Sequence, residues 1–238
     1  MLRVLASVRS ASEAKLAVAC GVDIVDAKDP ARGALGALAT ETIREIVAAV
    51  GGTCPVSATV GDLPPDPRAI LSAVEQVAET GVDIVKVGLV AGAEGSACLP
   101  PLVPIARRQP LVAVLFADQD PDLDLLPRIA GAGFAGVMLD TADKRGGSLT
   151  ARTPFQFLAG FVAMARRNGL FAGLAGSLQL ADVALLGPLG PSYLGFRGAL
   201  CSEGNRLDAL DPARLAQILR SANSEPIGVP VTGARSAS

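Results

Sequence analysis

The chain has 238 residues, of which 50% are hydrophobic, and its formal net charge is -2 at pH 7. This length fits one α/β domain of barrel size, and the charge provides no basic field for binding nucleic acid. Because histidine is absent, nucleophiles activated by histidine and metal sites built on histidine are excluded, and acid–base chemistry falls to Lys, Asp, Glu, Tyr or Cys.

In chain order, short runs rich in β-branched residues alternate with longer helical patterns, which is typical of βαβ units and a parallel sheet. The predicted strands span 3–7, 22–27, 56–60, 83–88, 111–116, 136–139, 171–175 and 193–196. The predicted helices span 11–20, 40–50, 67–80, 97–109, 121–132, 153–168, 179–187 and 211–221. Repeated strand–helix units predict a single (β/α)8 TIM barrel, the catalytic domain, over residues 1–222.

Local signals mark the ends of these elements. Side chains that cap helix N-termini stand before several predicted helices, namely Ser10, Thr40, Asp66, Thr153 and Asp211. The segment 223–238 has no periodicity and is rich in Ser, Gly and Pro, which predicts a flexible C-terminal tail.

The cysteines and the hydropathy pattern bound the cellular setting. The four cysteines, Cys20, Cys54, Cys98 and Cys201, are too far apart to predict a zinc site or a disulfide framework. No apolar run is long enough to predict a membrane span. We therefore expect reduced thiols, no membrane association and a cytoplasmic location.

Lysine is rare, because only four of the 21 Lys and Arg residues are lysines: Lys15, Lys28, Lys86 and Lys144. A lysine retained where arginine is the usual cation indicates a need for an amine, whose pKa can fall enough to make a base or a nucleophile. Lys15 lies in the middle of a predicted helix, and we assign it to a solvated helix face.

The pentapeptide Gly-Val-Asp-Ile-Val occurs twice, followed first by Asp26 and later by Lys86. This repeat places Asp26 and Lys86 at the same height on two strands, and Lys28 shares their face because alternate strand residues point the same way. The segment ending in Asp140 aligns Asp140 with Lys28, and Lys144 follows in the next loop. Since strand interiors are apolar, we expect the first four of these residues near the C-terminal strand ends, the catalytic face of this fold.

Such a cluster points to amine chemistry. Neighbouring ammonium groups disfavour each other's charge, so the pKa of one lysine is expected to fall toward neutrality. The free amine can then attack a carbonyl and form a Schiff base, while Asp26 and Asp140 balance charge and relay protons. The alternative is a set of structural ion pairs at the barrel rim.

A phosphate site is predicted after the seventh and eighth strands, where barrels often bind phosphate. Gly176 and Gly198 are expected to offer backbone N–H groups near helix N-termini. Ser177 adds a hydroxyl, and Arg197 is expected to pair with phosphate in bidentate fashion. Arg206, in the next loop, is a further possible contact, and ordinary turn glycines are the alternative reading.

Six motifs occur in an order that resembles a known family. They span 26–30 (Asp-Ala-Lys-Asp-Pro), 56–62 (Val-Ser-Ala-Thr-Val-Gly-Asp), 85–89 (Val-Lys-Val-Gly-Leu), 138–142 (Met-Leu-Asp-Thr-Ala), 174–177 (Leu-Ala-Gly-Ser) and 197–199 (Arg-Gly-Ala). Together they resemble (5-formylfuran-3-yl)methyl phosphate synthase, also called 4-(hydroxymethyl)-2-furancarboxaldehyde-phosphate synthase.

The resemblance implies a lyase of methanofuran biosynthesis. Such an enzyme condenses two molecules of glyceraldehyde 3-phosphate to the furan aldehyde phosphate and releases one phosphate and two waters. By the same resemblance, Lys28 takes the Schiff-base position and Lys86 the proton-acceptor position. Asp26, Asp140 and Lys144 match the remaining charged positions, and no metal or organic cofactor is implied.

Further expectations concern partners and rival functions. We expect a homo-oligomer that acts on a small-molecule substrate in the one-carbon metabolism of a methylotrophic bacterium. One rival is a class I Schiff-base aldolase that acts on another sugar phosphate. The other is a non-catalytic phosphometabolite-binding protein, against which the set of lysines and aspartates argues.

Overall fold

The computed structural model describes residues 2–143 and 146–224. Parallel strands form a closed barrel in the order β1 to β8, and β8 pairs with β1. The strands are β1 Arg3–Val8, β2 Ile24–Ala27, β3 Val56–Thr59, β4 Ile84–Gly88, β5 Leu111–Phe116, β6 Gly136–Asp140, β7 Phe171–Leu174 and β8 Tyr193–Phe196. The predicted (β/α)8 class is confirmed.

Helices follow the strands and surround the barrel. They are α1 Ala11–Cys20, α2 Thr40–Val50, α3 Pro67–Ala78, α4 Gly92–Ala97, α5 Leu99–Ala106, α6 Leu125–Gly131, α7 Leu149–Arg152, α8 Phe155–Arg167, α9 Leu180–Leu186 and α10 Pro212–Ser224. The helix predicted over 97–109 contains α5, but the prediction missed α4, which ends where that helix was expected to begin. Pro100 and Pro101 have no N–H to donate to the preceding turn, so the hydrogen-bond ladder of α4 stops.

Three of the predicted N-caps are confirmed. The side chains of Ser10, Asp66 and Asp211 accept hydrogen bonds from backbone N–H groups in the first turns of α1, α3 and α10. Thr40 is instead the first residue of α2, and Thr153 directly follows α7, so neither caps a helix start.

The core has two parts. A large apolar cluster lies between the sheet and the helices, and a smaller one, which includes Leu5, Val112 and Met138, lies inside the barrel. Barrels of this kind are usually filled by layers of branched apolar side chains. Here two charged residues, Asp26 and Lys86, are fully buried among these apolar layers.

The C-terminal end of the described chain is helical. Because α10 continues to Ser224, the first residues of the predicted tail belong to that helix. The rest of the predicted tail, residues 225–238, lies outside the described residues. Within the part of the chain that the structure describes, no helix is long and apolar enough to cross a membrane.

Candidate active site

The centre of the site is a buried ion pair between β2 and β4. Lys86 Nζ lies 2.6 Å from Asp26 Oδ1. The same carboxylate accepts hydrogen bonds from Ser7 Oγ at 2.9 Å and Ser57 Oγ at 2.7 Å. A buried charge is tolerated only when it is paired and hydrogen-bonded, and Asp26 meets both conditions. The prediction that Asp26 and Lys86 share a face is confirmed.

The pair is electrostatically coupled to Lys28. Burial by itself opposes ionisation of Asp26, but the positive charges of Lys86 and Lys28 outweigh it and hold the pKa of this carboxyl below its usual value. Burial lowers the pKa of the Lys86 amine, and the charge of Lys28 lowers it further, against the opposing effect of Asp26. Lys86 therefore loses its proton more readily than a solvated lysine does.

Lys28 and Asp140 lie at the C-terminal ends of two strands. Lys28 comes directly after β2, and its N–H still donates to Val8 O at 3.0 Å, so strand geometry extends to it as expected. Lys28 Nζ is 3.9 Å from Asp140 Oδ2. Asp140 is the last residue of β6, and its Oδ1 accepts the N–H of Thr141 at 2.7 Å. Both residues line a cavity of about 320 Å³.

The structure separates the predicted residues by depth. Among the described residues, the lining of the cavity around Lys28 includes neither Asp26 nor Lys86. Asp26 is the last but one residue of β2, near its C-terminal end as expected, but Lys86 lies in the middle of β4, deeper than predicted. The ion pair and the serine hydroxyls offset the free-energy cost of burying these charges more deeply. Lys86 borders a second cavity, of about 550 Å³, toward the N-terminal strand ends. Lys144 lies outside the described residues.

Backbone N–H groups also line the Lys28 cavity. Gly176 and Ser177 follow β7, Gly198 follows β8, and all three line the cavity. Their N–H groups have no hydrogen-bond acceptor within residues 2–143 and 146–224. Gly176 has φ +117°, and a Cβ there would lie 3.0 Å from Thr141 Cγ2, so the turn requires glycine. Unsatisfied N–H groups at this position suit an anion.

Arg197 contradicts its predicted role, because its guanidinium is fully engaged inside the protein. Nη1 and Nη2 contact the Glu13 carboxylate at 2.6 and 3.2 Å. Nε donates to Arg206 O at 2.8 Å, Nη1 to Ser7 O at 3.2 Å and Nη2 to Asp208 O at 2.8 Å. Arg197 lines the cavity without a donor left for a bidentate contact to phosphate.

Two aspartates near the cleft hold loops. Asp62 accepts the N–H of Leu35 at 3.1 Å. Asp118 accepts the N–H groups of Ala142 at 2.7 Å and Asp143 at 2.9 Å. Burial opposes ionisation of Asp118, but these N–H groups and Arg152 keep its pKa below the usual value.

Three residues of the site were missed from the sequence, namely Ser7, Ser57 and Glu13. Ser7 and Ser57 are the register partners of Asp26 on the two adjoining strands. Small hydroxyl residues beside a strand aspartate were the available signal, but only the register shows that they meet it. Within the described residues, no cluster of His, Cys, Asp and Glu is arranged to hold a metal.

Comparison with known proteins identifies close relatives over nearly the whole chain. The 4-HFC-P synthase family matches residues 4–219. A Methylorubrum extorquens protein, named provisionally as (5-formylfuran-3-yl)methyl phosphate synthase, is 47% identical and covers 94% of this chain and 93% of its own. A Methanococcus aeolicus protein that carries this name without qualification is 36% identical over 85% of this chain and 91% of its own.

Solved structures with similar folds are more distant in sequence. Phosphoribosyl anthranilate isomerase from Thermus thermophilus superposes with a TM-score of 0.65 at 17% identity, covering 94% of this chain and 99% of its own. A 3-hexulose-6-phosphate synthase also gives 0.65, at 18% identity, covering 93% of this chain and 99% of its own. At such identities the likeness supports the barrel fold alone.

Proposed function

The chain belongs to the 4-HFC-P synthase family, and from that premise we propose that this enzyme makes (5-formylfuran-3-yl)methyl phosphate from two molecules of glyceraldehyde 3-phosphate. One phosphate and two waters leave, so carbon, oxygen, hydrogen and phosphorus balance. The product is a furan aldehyde, and we assign the reaction to methanofuran biosynthesis and the enzyme to the lyases.

One observation carries the proposal. A nearly buried amine, Lys28, and a row of unsatisfied N–H groups, from Gly176, Ser177 and Gly198, line the same cavity. A triose phosphate has a carbonyl at one end and a phosphate at the other. The cavity therefore offers a nucleophile for the first group and hydrogen-bond donors for the second.

The proposed chemistry begins at Lys28. Its amine adds to the aldehyde carbon, and loss of water gives a protonated Schiff base that draws electrons from the adjacent carbon. Release of the proton on that carbon and of the phosphate on the next carbon leaves an unsaturated, enzyme-bound three-carbon unit. A second triose adds to this unit by an aldol step, and ring closure with loss of two waters forms the furan. Hydrolysis of the Schiff base then releases the aldehyde and returns the Lys28 amine.

The buried pair does not line the cavity, but Ser7 does, and its hydroxyl donates to Asp26 at 2.9 Å. Proton transfers between the substrate and the pair therefore run through Ser7. Because burial and Lys28 both lower the pKa of Lys86, the Lys86 amine is a better base at neutral pH than a solvated lysine. Asp26 stabilises the ammonium that results, since it stays ionised 2.6 Å away. Asp140, 3.9 Å from Lys28 Nζ, balances the positive charge of the Schiff base.

Borohydride trapping tests the assignment of Lys28. We expect glyceraldehyde 3-phosphate and borohydride together to leave a reduced adduct on the peptide that contains Lys28. The Lys28→Arg variant keeps the charge but has no amine of accessible pKa, so the adduct should disappear. Mass spectrometry of proteolytic peptides gives the measurement.

Lys15→Arg is the matched control, because Lys15 is an exposed lysine on α1 and its replacement should leave trapping unchanged. An adduct of undiminished yield in Lys28→Arg, on Lys86 or Lys144, would assign the Schiff base to another lysine.

A further inference from the structure

The loop that follows β8, residues 197–211, is closed at its neck. Cys201 and Leu210 form an antiparallel bridge. Ser202 N donates to Ala209 O at 3.1 Å. Arg206 lies within this closed loop, and its side chain lines the cavity that contains Lys28. The backbone that carries Arg206 is therefore constrained from both ends.

The same loop is anchored from below by Arg197. This guanidinium donates to the carbonyl oxygens of Arg206 and Asp208, both at 2.8 Å. Its remaining donors are held chiefly by Glu13 of α1. Both side chains of the pair are at least nine-tenths buried. A buried bidentate pair of this kind is geometrically specific, so it fixes the place at which the Arg206 backbone sits.

The Arg206 side chain reaches the loop that follows β2. Its Nη2 donates to Gly33 O, in the loop after β2, at 2.9 Å. Among the described residues, this is the one acceptor found for its guanidinium. Burial lowers the pKa of Arg206, while Asp140 and Asp62 oppose that effect. A half-buried guanidinium with unused donors favours an anion that can accept from its planar fork.

We propose that Arg206 is the cation that binds the substrate phosphate, together with the N–H groups of Gly176, Ser177 and Gly198 that line the same cavity. Glu13 and Arg197 are then positioning residues that hold it there. The identity of the phosphate ester rests on the proposed function. The binding of phosphate is independent of that function, because it is measured without turnover.

Isothermal titration with inorganic phosphate and with glycerol 3-phosphate tests the cation. We expect Arg206→Gln to raise Kd by about 10- to 100-fold, the effect of losing hydrogen bonds to a charged group. The Kd of Arg206→Lys should lie between those of the wild type and Arg206→Gln, because lysine keeps the charge but loses the planar fork of donors. Arg44→Gln, which removes an exposed arginine on α2, is the control and should bind as the wild type does.

The positioning role is tested by non-additivity. Glu13→Gln should weaken phosphate binding by about three- to tenfold, because it displaces the loop. In the Arg206→Gln background the same substitution should cause little further loss of affinity. Glu13→Asp keeps the carboxylate and should restore part of the affinity. The same change should appear in KM for glyceraldehyde 3-phosphate more than in kcat. If Glu13→Gln does not fold, Glu13→Asp is compared alone in both backgrounds.

Two results would overturn the inference. Wild-type affinity for both phosphate probes in Arg206→Gln would remove Arg206 from the phosphate site. Fully additive losses from the Glu13 and Arg206 variants would show that the ion pair does not act through Arg206. If phosphate binding follows these expectations but no furan forms in the wild type, the proposed reaction fails while the phosphate site stands.

Discussion

At the scale of single residues, the proposed chemistry depends on how Asp26 is supported. Three donors converge on one buried carboxylate: the Lys86 ammonium and the hydroxyls of Ser7 and Ser57. The repeated pentapeptide was enough to predict that Asp26 and Lys86 share a face at the same height. It could not predict their depth, because the assumption of an apolar strand interior ignores polar groups that satisfy one another.

Removal of the Asp26 charge tests this ion pair. In Asp26→Asn the Lys86 ammonium is left buried without its counter-ion, so we expect the free energy of unfolding to fall by about 3–5 kcal/mol. Adding Lys86→Met should recover about half of that loss or more, because no uncompensated charge then remains. Urea unfolding of the single and double variants gives the values.

Lys15→Met, on the exposed face of α1, is the control and should change stability by no more than about 0.5 kcal/mol. A double variant as unstable as the sum of its single variants would show that the two charges are not energetically coupled.

At the scale of elements, periodicity predicted the strands and most helices because each unit is long enough to show its pattern. Loops carry no such pattern. Asp118, after β5, accepts two N–H groups from the loop after β6, at Ala142 and Asp143. That loop leads to Lys144 in the sequence. The sequence left the role of Asp118 open, because nothing local relates it to a segment that follows another strand.

The matched pair Asp118→Asn and Asp120→Asn tests this support. Asn at 118 has one acceptor oxygen in place of two, so at least one N–H of the β6 loop loses its partner. We expect kcat to fall roughly tenfold, about 1.4 kcal/mol of transition-state stabilisation, with a smaller change in KM. Asp120 is exposed in the same loop, and Asp120→Asn should leave both constants unchanged. If both substitutions lowered kcat equally, the effect would come from the loss of a negative charge and not from the loop contacts of Asp118.

At the scale of the whole molecule, barrel closure determines which distant residues meet. Arg197 and Glu13 are 184 positions apart in sequence, and their contact exists because β8 returns to β1. Strand order was enough to place the glycines after β7 and β8 beside the lysine cavity. It was not enough to show that Glu13 would occupy the Arg197 guanidinium, which requires side-chain geometry. The expected homo-oligomer stays a prediction.

The most direct test of the proposed reaction is to incubate the purified protein with glyceraldehyde 3-phosphate alone and to follow furan-aldehyde absorbance and phosphate release together. We expect the two products to appear in equal molar amounts, and Lys28→Arg to abolish both. If neither product appears while borohydride still traps the triose on Lys28, the enzyme is instead an aldolase that requires a different partner substrate.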